Sequence, residues 1–457
     1  MKVVIENGTL VTECDVYEAD ILIEQGKISA IGTGFDKTDA QIIDAKGRYV
    51  MPGAIDVHTH IDLQAGDFHT CDDFLLGTRA AASGGTTTII EHLSFGPAKC
   101  SLYDQVNAYK LRAAQKAIID YGLHGVIQHV DERVLREMES LAAEGISSFK
   151  IYLTYDFALS DADILRVMKK AKKIGAVIAV HCENDAIIRH LRDECIKKGN
   201  RTPRAHALSR PPACEVEAIQ RVLQIAHLAG DAAVYIVHLS TKEGLAMIQY
   251  ARNHGQKNIY VETCPQYLLF TQEAYKREDA LKYIMSPPLR EKSDCDALWK
   301  GLADGAIDVV ATDHCPFEFA TDKQRGKDDF TKCPNGAPGI EERVRVMFSE
   351  GVMKRKITLT TFVKLLCTNP ARIYGLYPEK GTLLPGSDAD LMILDAKGSY
   401  VYKAENLVGG CDYSLYEDIK LQGDICMVMQ RGQVLCQDEQ FFAKAGAGHF
   451  RERRVKV

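Results

Sequence analysis

The central part of the chain alternates short apolar segments with longer amphipathic ones, and this alternation constrains the fold more than any other feature. The amphipathic segments carry apolar residues at helical spacing, so each apolar run is separated from the next by a predicted helix. Parallel strands need such long crossovers, whereas antiparallel strands are joined by short turns. The predicted strands span roughly residues 54–60, 86–91, 122–129, 147–153, 176–182, 232–239, 258–263 and 306–313. Eight such units predict an α/β fold of the (β/α)8 TIM-barrel class.

Both ends of the chain have a different pattern. Residues 1 to about 50 alternate short β-patterned runs with turns, and a second region of this kind begins near Gly381. Short strands separated by Gly, Pro and Asp are typical of small β-rich units. We therefore predict a small β-sandwich domain built from both chain ends, with parts at 1–50 and 379–440, a barrel over 51–378 and a tail over 441–457.

Composition and charge argue against some classes of binding partner. The formal net charge is −6, whereas nucleic-acid-binding proteins usually carry a basic surface that neutralises phosphate. No run of about 18 apolar residues is present, so we expect no membrane span. The 14 cysteines are scattered without a Cys-x-x-Cys pair, which is typical of reduced thiols rather than of a disulfide framework. We expect a cytoplasmic protein that binds neither nucleic acid nor membrane.

The first predicted barrel strand ends in two histidines, His58 and His60. Alternate residues of a strand share a face, so the two imidazoles point the same way and are able to ligate one metal ion. Taken alone, the pair is better explained as polar core residues. Other predicted strands, however, carry His181, His238 and Asp313 at the same end. Because active-site residues of such barrels collect at the C-terminal ends of the strands, the combination predicts a metal site.

Lys150 lies within the fourth predicted strand, in the segment Ser-Ser-Phe-Lys-Ile-Tyr-Leu. An ammonium group in an apolar strand carries a large desolvation penalty unless it is paired or neutral. Burial lowers the pKa of a lysine, and a neutral amine is able to react with carbon dioxide to give a carbamate. The modified side chain is a carboxylate whose two oxygens can bridge two cations.

The remaining histidines do not share this placement at the strand ends. We interpret as structural or surface groups His69, His92, His129, His190, His206, His227 and His254. The sequence leaves the roles of His124 and His314 open.

Several longer motifs surround these positions. They are Pro52-Gly-Ala-Ile-Asp-Val-His-Thr-His60, Gly84-Gly-Thr-Thr-Thr88, Ser148-Phe-Lys150 with Tyr155, His181-Cys-Glu-Asn184, Val237-His-Leu-Ser240, Ser286-Pro-Pro-Leu-Arg290, Ala311-Thr-Asp-His-Cys-Pro316 and Pro334-Asn-Gly336. This set resembles the cyclic amidohydrolases of the amidohydrolase superfamily, specifically dihydropyrimidinases and hydantoinases, over essentially the whole chain. The segments 69–74 and 261–267 look most similar to the bacterial D-phenylhydantoinase branch.

The resemblance implies a centre of two divalent metal ions, usually zinc. It assigns one ion to His58, His60 and Asp313, and the other to His181 and His238. A carboxylated Lys150 and a water or hydroxide would bridge both ions. Two adjacent cations lower the pKa of a shared water enough to supply hydroxide near neutral pH.

The resemblance also implies hydrolytic opening of a cyclic amide or ureide, as in 5-monosubstituted hydantoins or dihydropyrimidines, to an N-carbamoyl amino acid. Asp313 would act as general base and then as general acid, and the phenol of Tyr155 would stabilise the oxyanion. The backbone groups of Ser286 and Asn335 would hydrogen-bond the ring. Without the resemblance, Tyr155 is better explained as a rim aromatic, and Ser286 and Asn335 as turn residues.

Loops after the first, second and fourth predicted strands carry apolar side chains that could receive the ring substituent. They are Leu63, Phe68, Leu93, Phe95 and Phe157. Residues 61–67 depart from the Met-Pro-Phe-like segment typical of dihydropyrimidinases. This departure argues against a physiological role in pyrimidine breakdown.

Three other classes of protein share the barrel fold, and the first two of them also share its metal ligands. A dihydroorotase commonly carries an arginine where this chain has Asp62. An allantoinase-like hydrolase remains an alternative because its substrate ring is itself a hydantoin. A non-catalytic dihydropyrimidinase-related assembly protein is disfavoured because all six ligand positions are filled. The resemblance further implies a homotetramer, in which the tail 441–457 could contact a neighbouring subunit.

Overall fold

A computed structural model describes residues 2–454 of the 457-residue chain. Its first part is a series of short strands that ends where the barrel begins. These strands are β1 (Lys2–Glu6), β2 (Thr9–Val11), β3 (Val16–Glu18), β4 (Asp20–Glu24), β5 (Lys27–Gly32), β6 (Ala40–Asp44) and β7 (Tyr49–Pro52). Alternating buried and exposed positions, as in β4, leave one face of the sheet for a core.

The barrel strands follow, together with a two-stranded hairpin. They are β8 (Ala54–Thr59), the hairpin strands β9 (Gln64–Ala65) and β10 (Phe68–His69), β11 (Thr86–His92), β12 (Asp120–Val126), β13 (Ser148–Tyr152), β14 (Val177–His181), β15 (Val234–Ile236), β16 (Ile259–Thr263) and β17 (Val309–Val310). Eight of them form one parallel sheet in the order β17-β16-β15-β14-β13-β12-β11-β8. The predicted order of eight parallel strands is therefore confirmed.

The two edge strands of this sheet, β8 and β17, meet and close the barrel. A parallel bridge joins Thr59 to His314, and the His60 N–H donates to the His314 carbonyl at 2.8 Å. Arg343, which is fully buried, donates to the carbonyls of Ile55 and Val310 at 2.9 Å each. One guanidinium thus links β8 to β17, in addition to the backbone bridge.

Helices cover the outer face of the barrel. They are α1 (Phe74–Ser83), α2 (Leu102–Lys116), α3 (Glu132–Ala143), α4 (Asp161–Ile174), α5 (Asp185–Lys197), α6 (Pro203–Ser209), α7 (Pro212–Leu228), α8 (Lys242–Asn253), α9 (Pro265–Leu269), α10 (Lys292–Ala303), α11 (Arg343–Met347), α12 (Leu359–Val363) and α13 (Asn369–Ile373). Helix α4 shows why they form. Ser160 caps its first turn, the residues that face the sheet are apolar, and Gly175 ends it in the left-handed conformation.

The C-terminal part adds strands to those of the N-terminus. It contains β18 (Leu391–Val401), β19 (Lys420–Gln430), β20 (Gln433–Gln437) and β21 (Gln440–Phe441). One sheet has the order β21-β20-β19-β18-β7-β2-β3 and the other the order β5-β4-β1-β6. Apolar residues from both chain ends, among them Val3, Ile21, Val50, Leu391 and Met429, form one buried cluster. The prediction of a β-sandwich from both ends is confirmed.

Most barrel strands differ from the predicted ranges by one to three residues at an end, but two are much shorter and one is longer. Strand β15 ends at Ile236 rather than near residue 239, and β17 ends at Val310. His238 and Asp313, which follow these strands, have φ of 40° and 54°, a conformation that an extended ladder does not accept. Strand β11 instead continues through His92, one residue beyond the predicted end.

The end of the described chain packs under the barrel of the same molecule. Tyr121 forms a parallel bridge with Phe450, and the Arg453 N–H donates to the Gly145 carbonyl at 2.9 Å. The Arg453 side chain is fully buried. The predicted contact of the tail with another subunit stays a prediction, and residues 455–457 lie outside the described residues. Among residues 2–454, no helix combines the length and apolar character that a membrane crossing requires.

Candidate metal centre

A cavity of about 630 Å³ opens at the C-terminal ends of the barrel strands. This volume is within the usual range for a small-molecule site. All nine residues predicted to bind metal or substrate line it: His58, His60, Lys150, Tyr155, His181, His238, Ser286, Asp313 and Asn335. The barrel thus brings together residues that lie far apart in the sequence.

Three side chains converge on one side of this cavity. Asp313 Oδ1 lies 3.1 Å from His58 Nε2 and 3.2 Å from His60 Nε2. One possible ligand atom from each of these three side chains lies within 4.8 Å of the other two. His58 Nε2 is buried and forms no hydrogen bond among the described residues. Two imidazoles and a carboxylate in this arrangement fit the ligand set of a zinc ion.

His181 and His238 converge on the other side. His181 Nδ1 lies 2.9 Å from His238 Nε2, so the two rings direct nitrogen atoms at the same point. Burial and the nearby Lys150 charge lower the pKa of His58, and burial is also the main cause that lowers the pKa of His181 and His238. All three imidazoles are therefore kept neutral, which is the form that binds a metal.

Two buried glutamates orient these rings from behind. Glu262 Oε1 lies 2.7 Å from His58 Nδ1, and Glu262 also accepts hydrogen bonds from the His238 N–H and the Tyr235 hydroxyl. Glu183 Oε2 lies 2.8 Å from His181 Nε2. A carboxylate on the second nitrogen of an imidazole fixes its tautomer and ring orientation. Neither glutamate was predicted as a site residue from the sequence.

The two glutamates differ in their electrostatic surroundings. Burial raises the pKa of Glu262 to about 8, so a nearby cation would be needed to keep this carboxylate ionised at neutral pH. Burial would raise the pKa of Glu183 as well, but Arg210, which is in contact with Glu183, and His181 lower it to about 2. Glu183 therefore has a cation in direct contact, whereas within residues 2–454 no lysine or arginine forms an ion pair with Glu262.

Lys150 is buried between the two groups of histidines. Its side chain is 1% exposed, and none of the hydrogen bonds or ion pairs found within residues 2–454 involves its amine. Burial lowers the pKa of Lys150 to about 8, although Asp313 and Glu262 act in the opposite direction. A substantial neutral fraction near physiological pH is the state that carbamate formation requires.

Three residues around the cavity have left-handed backbone conformations. The φ angles are 70° for Tyr155, 40° for His238 and 54° for Asp313. For residues other than glycine such conformations cost on the order of 1–3 kcal/mol each and are concentrated at functional sites. The fold therefore tolerates strain in order to direct these side chains into the cavity.

The prediction that His92 does not lie at a strand end was wrong. It ends β11 and is 1% exposed, and its ring centroid lies 4.4 Å from that of His58 and 5.4 Å from that of His60. The predicted strand stopped one residue too early, which hid this placement. His92 thus packs directly against two of the predicted ligands.

The two histidines that the sequence left open have structural partners. His124 contacts the Val57 carbonyl at 3.0 Å and the Ser148 hydroxyl at 2.7 Å. His314 contacts Asp72 at 2.8 Å and accepts from the Gly339 N–H at 3.1 Å. Both rings use both nitrogen atoms within the protein, so neither is available as a ligand.

The far wall of the cavity carries Tyr155, Ser286 and Asn335. The Tyr155 ring lies near the His181 ring, with 5.6 Å between centroids, and the Arg210 guanidinium lies 5.6 Å from the centroid of Tyr155. No hydrogen bond within residues 2–454 uses the backbone N–H or carbonyl of Ser286 or Asn335. These backbone groups are therefore free for a ligand.

The mouth of the cavity is apolar and aromatic. All five side chains predicted for this wall line the cavity: Leu63, Phe68, Leu93, Phe95 and Phe157. The Phe95 and Phe157 rings stack with centroids 3.4 Å apart. Tyr152 and Phe317 also line the wall and were not predicted. Tyr152 follows Lys150 on the same strand, where alternation alone would have indicated a shared face.

The chain is similar to known proteins along its full length. Residues 49–435 match the model of the amidohydrolase family. A D-phenylhydantoinase of Escherichia coli (strain K12 / DH10B) is 48% identical over 458 residues, which covers 100% of this chain and 99% of that protein. The solved dihydropyrimidinase from Brevibacillus agri NCHU1002 has a TM-score of 0.98 at 41% identity and 100% coverage of both chains. The L-hydantoinase (dihydropyrimidinase) from Arthrobacter aurescens has a TM-score of 0.90 at 33% identity and 99% coverage of both chains.

A TIM barrel with convergent His and Asp side chains at the strand ends defines the class of metal-dependent hydrolases. Within that class, the chain belongs to the amidohydrolase family. It is similar along its full length to hydantoinases and dihydropyrimidinases. The resemblance and the fold predicted from the sequence are both confirmed.

Proposed function

We propose that this protein is a cyclic amidohydrolase that opens 5-monosubstituted hydantoins, dihydropyrimidines or both to N-carbamoyl amino acids. The observation that carries the proposal is the convergence of nine predicted site residues on one cavity. The names of full-length relatives, D-phenylhydantoinase and dihydropyrimidinase, support the same substrate class.

We propose that His58, His60 and Asp313 would hold one divalent ion, most simply Zn²⁺, and that His181 and His238 would hold a second. The buried, unpaired nitrogen of His58 and the opposed nitrogens of His181 and His238 support this assignment. A Lys150 carbamate would supply the anion that two cations between neutral imidazoles require. The bound ions would polarise the ring carbonyl and lower the pKa of water.

The protein side chains then perform the remaining steps. Asp313, whose Oδ1 lies at the centre of the His58 and His60 group, accepts the proton of the attacking water and returns it to the leaving ring nitrogen. The Tyr155 phenol donates to the oxygen on which negative charge develops. Burial raises the pKa of Tyr155, so the phenol keeps its proton at neutral pH. The free backbone groups of Ser286 and Asn335 hold the ring amides and carbonyls.

The ring substituent is received by the aromatic mouth of the cavity. Phe95 and Phe157 form a stacked pair beside Tyr152, with the Tyr152 centroid 5.2 Å from Phe95 and 5.3 Å from Phe157. A flat apolar surface of this kind suits an aryl or alkyl group. We therefore propose that substituted hydantoins are better substrates than unsubstituted rings.

An allantoinase-like activity is the second candidate and is less favoured. Allantoin carries a polar ureido substituent, which the apolar wall of Leu63, Phe68, Leu93, Phe95 and Phe157 would leave without hydrogen-bond partners. A non-catalytic assembly role is also less favoured, because each of the six metal-binding positions carries a side chain able to ligate.

A substrate panel tests the proposal. The protein is purified with Zn²⁺ and bicarbonate, its metal content is measured, and the same sample is assayed with D- and L-5-phenylhydantoin, 5-methylhydantoin, dihydrouracil and allantoin. We expect ring opening of phenylhydantoin with the highest kcat/KM and about two ions per chain. The variant His60→Ala should lose activity and metal while keeping its fold. Full turnover by His60→Ala, or no ring opening by the metal-loaded wild type, would refute the proposal.

A homotetramer and a cytoplasmic location are further parts of this proposal. Fourteen free cysteines support a reducing compartment. Light scattering of the full chain tests the tetramer, and truncation after Phe442 tests the tail. Unchanged assembly of the truncated chain would remove the proposed intersubunit role of the tail.

A further inference from the structure

Lys323 is a buried cation without a carboxylate partner. It lies in the 3-10 segment Lys323–Gly326 and is 0% exposed. Within the described part of the chain, its ammonium donates only to backbone carbonyls, those of Ile284 at 2.8 Å, Pro334 at 2.9 Å and Gly336 at 2.5 Å. A lysine has three N–H donors, so all of them are used.

The three carbonyls belong to two separate segments of the cavity wall. Ile284 lies two residues before Ser286, and Pro334 and Gly336 lie on either side of Asn335. The Gly336 N–H also donates to the Ile284 carbonyl at 3.1 Å. The ammonium therefore ties together the two segments whose backbones are proposed to bind the ring.

The backbone carbonyls next to Ser286 and Asn335 accept hydrogen bonds, whereas the backbone groups of Ser286 and Asn335 themselves form none within residues 2–454. In addition to the Lys323 contacts, His206 Nε2 lies 2.7 Å from the Met285 carbonyl. By contrast, the backbone N–H and carbonyl of Ser286 and Asn335 take part in no hydrogen bond within residues 2–454. Fixed neighbours with unpaired groups between them are what a preorganised binding site requires.

Gly336 shows how tightly this part of the wall is packed. Its φ is 152°, and a Cβ at this position would lie 2.4 Å from the Cys315 carbonyl oxygen. A larger residue would displace the Gly336 carbonyl from Lys323. The position of Asn335 thus depends on the contact between the Gly336 carbonyl and Lys323, and the packing leaves no space for a side chain at residue 336.

We propose that Lys323 is a positioning residue that sets the separation between the backbone groups of Ser286 and Asn335, and thereby the orientation of the substrate ring. Lys323 does not line the cavity, so it acts through the three carbonyls rather than by touching the substrate. The inference rests on the substrate-binding roles proposed for Ser286 and Asn335.

The test compares Lys323→Met with Arg252→Met. Arg252 serves as the control because it also ties two backbone carbonyls, those of Ile259 at 2.7 Å and Ala306 at 2.6 Å, outside the residues that line the cavity. Unlike Lys323, it also contacts a carboxylate, that of Asp308 at 2.6 Å. Lys323→Met keeps the apolar part of the side chain and removes its donors. The measurements are metal content, the KM and kcat for 5-phenylhydantoin, and the Kd of its ring-opened product, N-carbamoylphenylglycine.

We expect Lys323→Met to retain the metal content of the wild type, to raise KM and the product Kd, and to lower kcat/KM by about 10–100-fold, because small displacements of positioning groups have effects of this size. Arg252→Met should change thermal stability without changing KM or Kd. If Lys323→Met does not fold, Lys323→Gln, which keeps two donors on a shorter side chain, is measured in the same way.

Two results would overturn the inference. One is a KM and Kd unchanged from the wild type in a folded lysine variant. The other is an equal change in Arg252→Met, which would show a general effect of lost stability. Absence of ring opening by the metal-loaded wild type is a different outcome, since it refutes the proposed function rather than the role of Lys323 alone.

Discussion

Two buried lysines occupy opposite electrostatic environments in this molecule. Lys380, where the barrel meets the sandwich, lies 2.9 Å from Asp120, 3.1 Å from Asp388 and 2.5 Å from Asp390. Lys150, at the cavity, is equally buried, yet no ion pair within residues 2–454 includes it. Although burial opposes the change, the aspartates raise the pKa of Lys380 above its ordinary value, whereas burial lowers that of Lys150 to about 8.

The comparison distinguishes a structural cluster from a functional one. Asp120, Asp388 and Asp390 are close enough to hold a metal ion, as are His58, His60 and Asp313. The first group already contains a cation, because Lys380 contacts all three carboxylates. In the second group no lysine or arginine within residues 2–454 forms an ion pair with Asp313, whose ion-pair contacts are His58 and His60. Incomplete pairing of buried charges, rather than the number of acidic or basic residues, marks the site that is built for a ligand.

The largest expected effects come from replacing each lysine by methionine. Lys150→Met should lower the turnover of 5-phenylhydantoin by about 10³-fold or more, because the proposed Lys150 carbamate and the metal chemistry it would support would be lost. In the metal-free protein its stability should stay level or rise, since a buried amine without an ion-pair partner is removed. Lys380→Met should lower the free energy of unfolding by about 3–5 kcal/mol, because the cation shared by three buried carboxylates is lost. Asp120 and Asp388 keep other cationic partners, whereas Asp390 has no other ion pair within residues 2–454.

Denaturant unfolding, metal analysis and initial rates on the same preparations check this pair. The folded fraction of Lys380→Met should retain the kcat/KM of the wild type. A Lys150→Met protein that is the less stable of the two and still binds two ions would reverse the comparison.

A smaller effect is expected from two buried glutamates. Glu262 and Glu341 both have a pKa raised by burial to about 8, but only Glu262 contacts a predicted metal ligand. Glu262→Gln should weaken metal binding by about 10–100-fold, because the imidazole of His58 loses the carboxylate that orients it. Glu341→Gln should leave the affinity unchanged. Competition with a chelator measures both variants, and equal affinities in the two would mean that Glu262 does not act through His58.

The sequence predicted those parts of the site in which a polar residue interrupts an apolar strand. Lys150, His181 and His238 stand out against their apolar neighbours, and the count of strands placed them at one end of a barrel. The β-patterned chain ends similarly predicted the sandwich, because alternation indicates a sheet with one buried face. These features are local in sequence, so no knowledge of tertiary contacts was needed.

Groups that act through distant contacts could not be predicted in this way. Glu262 is 204 residues from His58 along the chain, and the contact exists only because the barrel closes. Lys323 binds backbone carbonyls, which every residue has and no sequence pattern reveals. The placement of His92 was wrong for a smaller reason, an error of one residue at the end of β11. Sequence patterns thus show many of the residues that enter the cavity, whereas the groups behind them depend on the tertiary structure.

The smallest expected effect concerns the aromatic mouth of the cavity. Replacing an aromatic residue there should change substrate selection, whereas replacing an exposed aromatic residue elsewhere on the surface should not. Phe157→Ala should lower kcat/KM for 5-phenylhydantoin about tenfold relative to 5-methylhydantoin, because an aromatic contact contributes on the order of 1 kcal/mol beyond its buried area. Phe442→Ala is the matched control, since Phe442 is 57% exposed and does not line the cavity. If the ratio of kcat/KM for the two substrates changed equally in both variants, or in neither, the stacked pair of Phe95 and Phe157 would have no part in substrate selection.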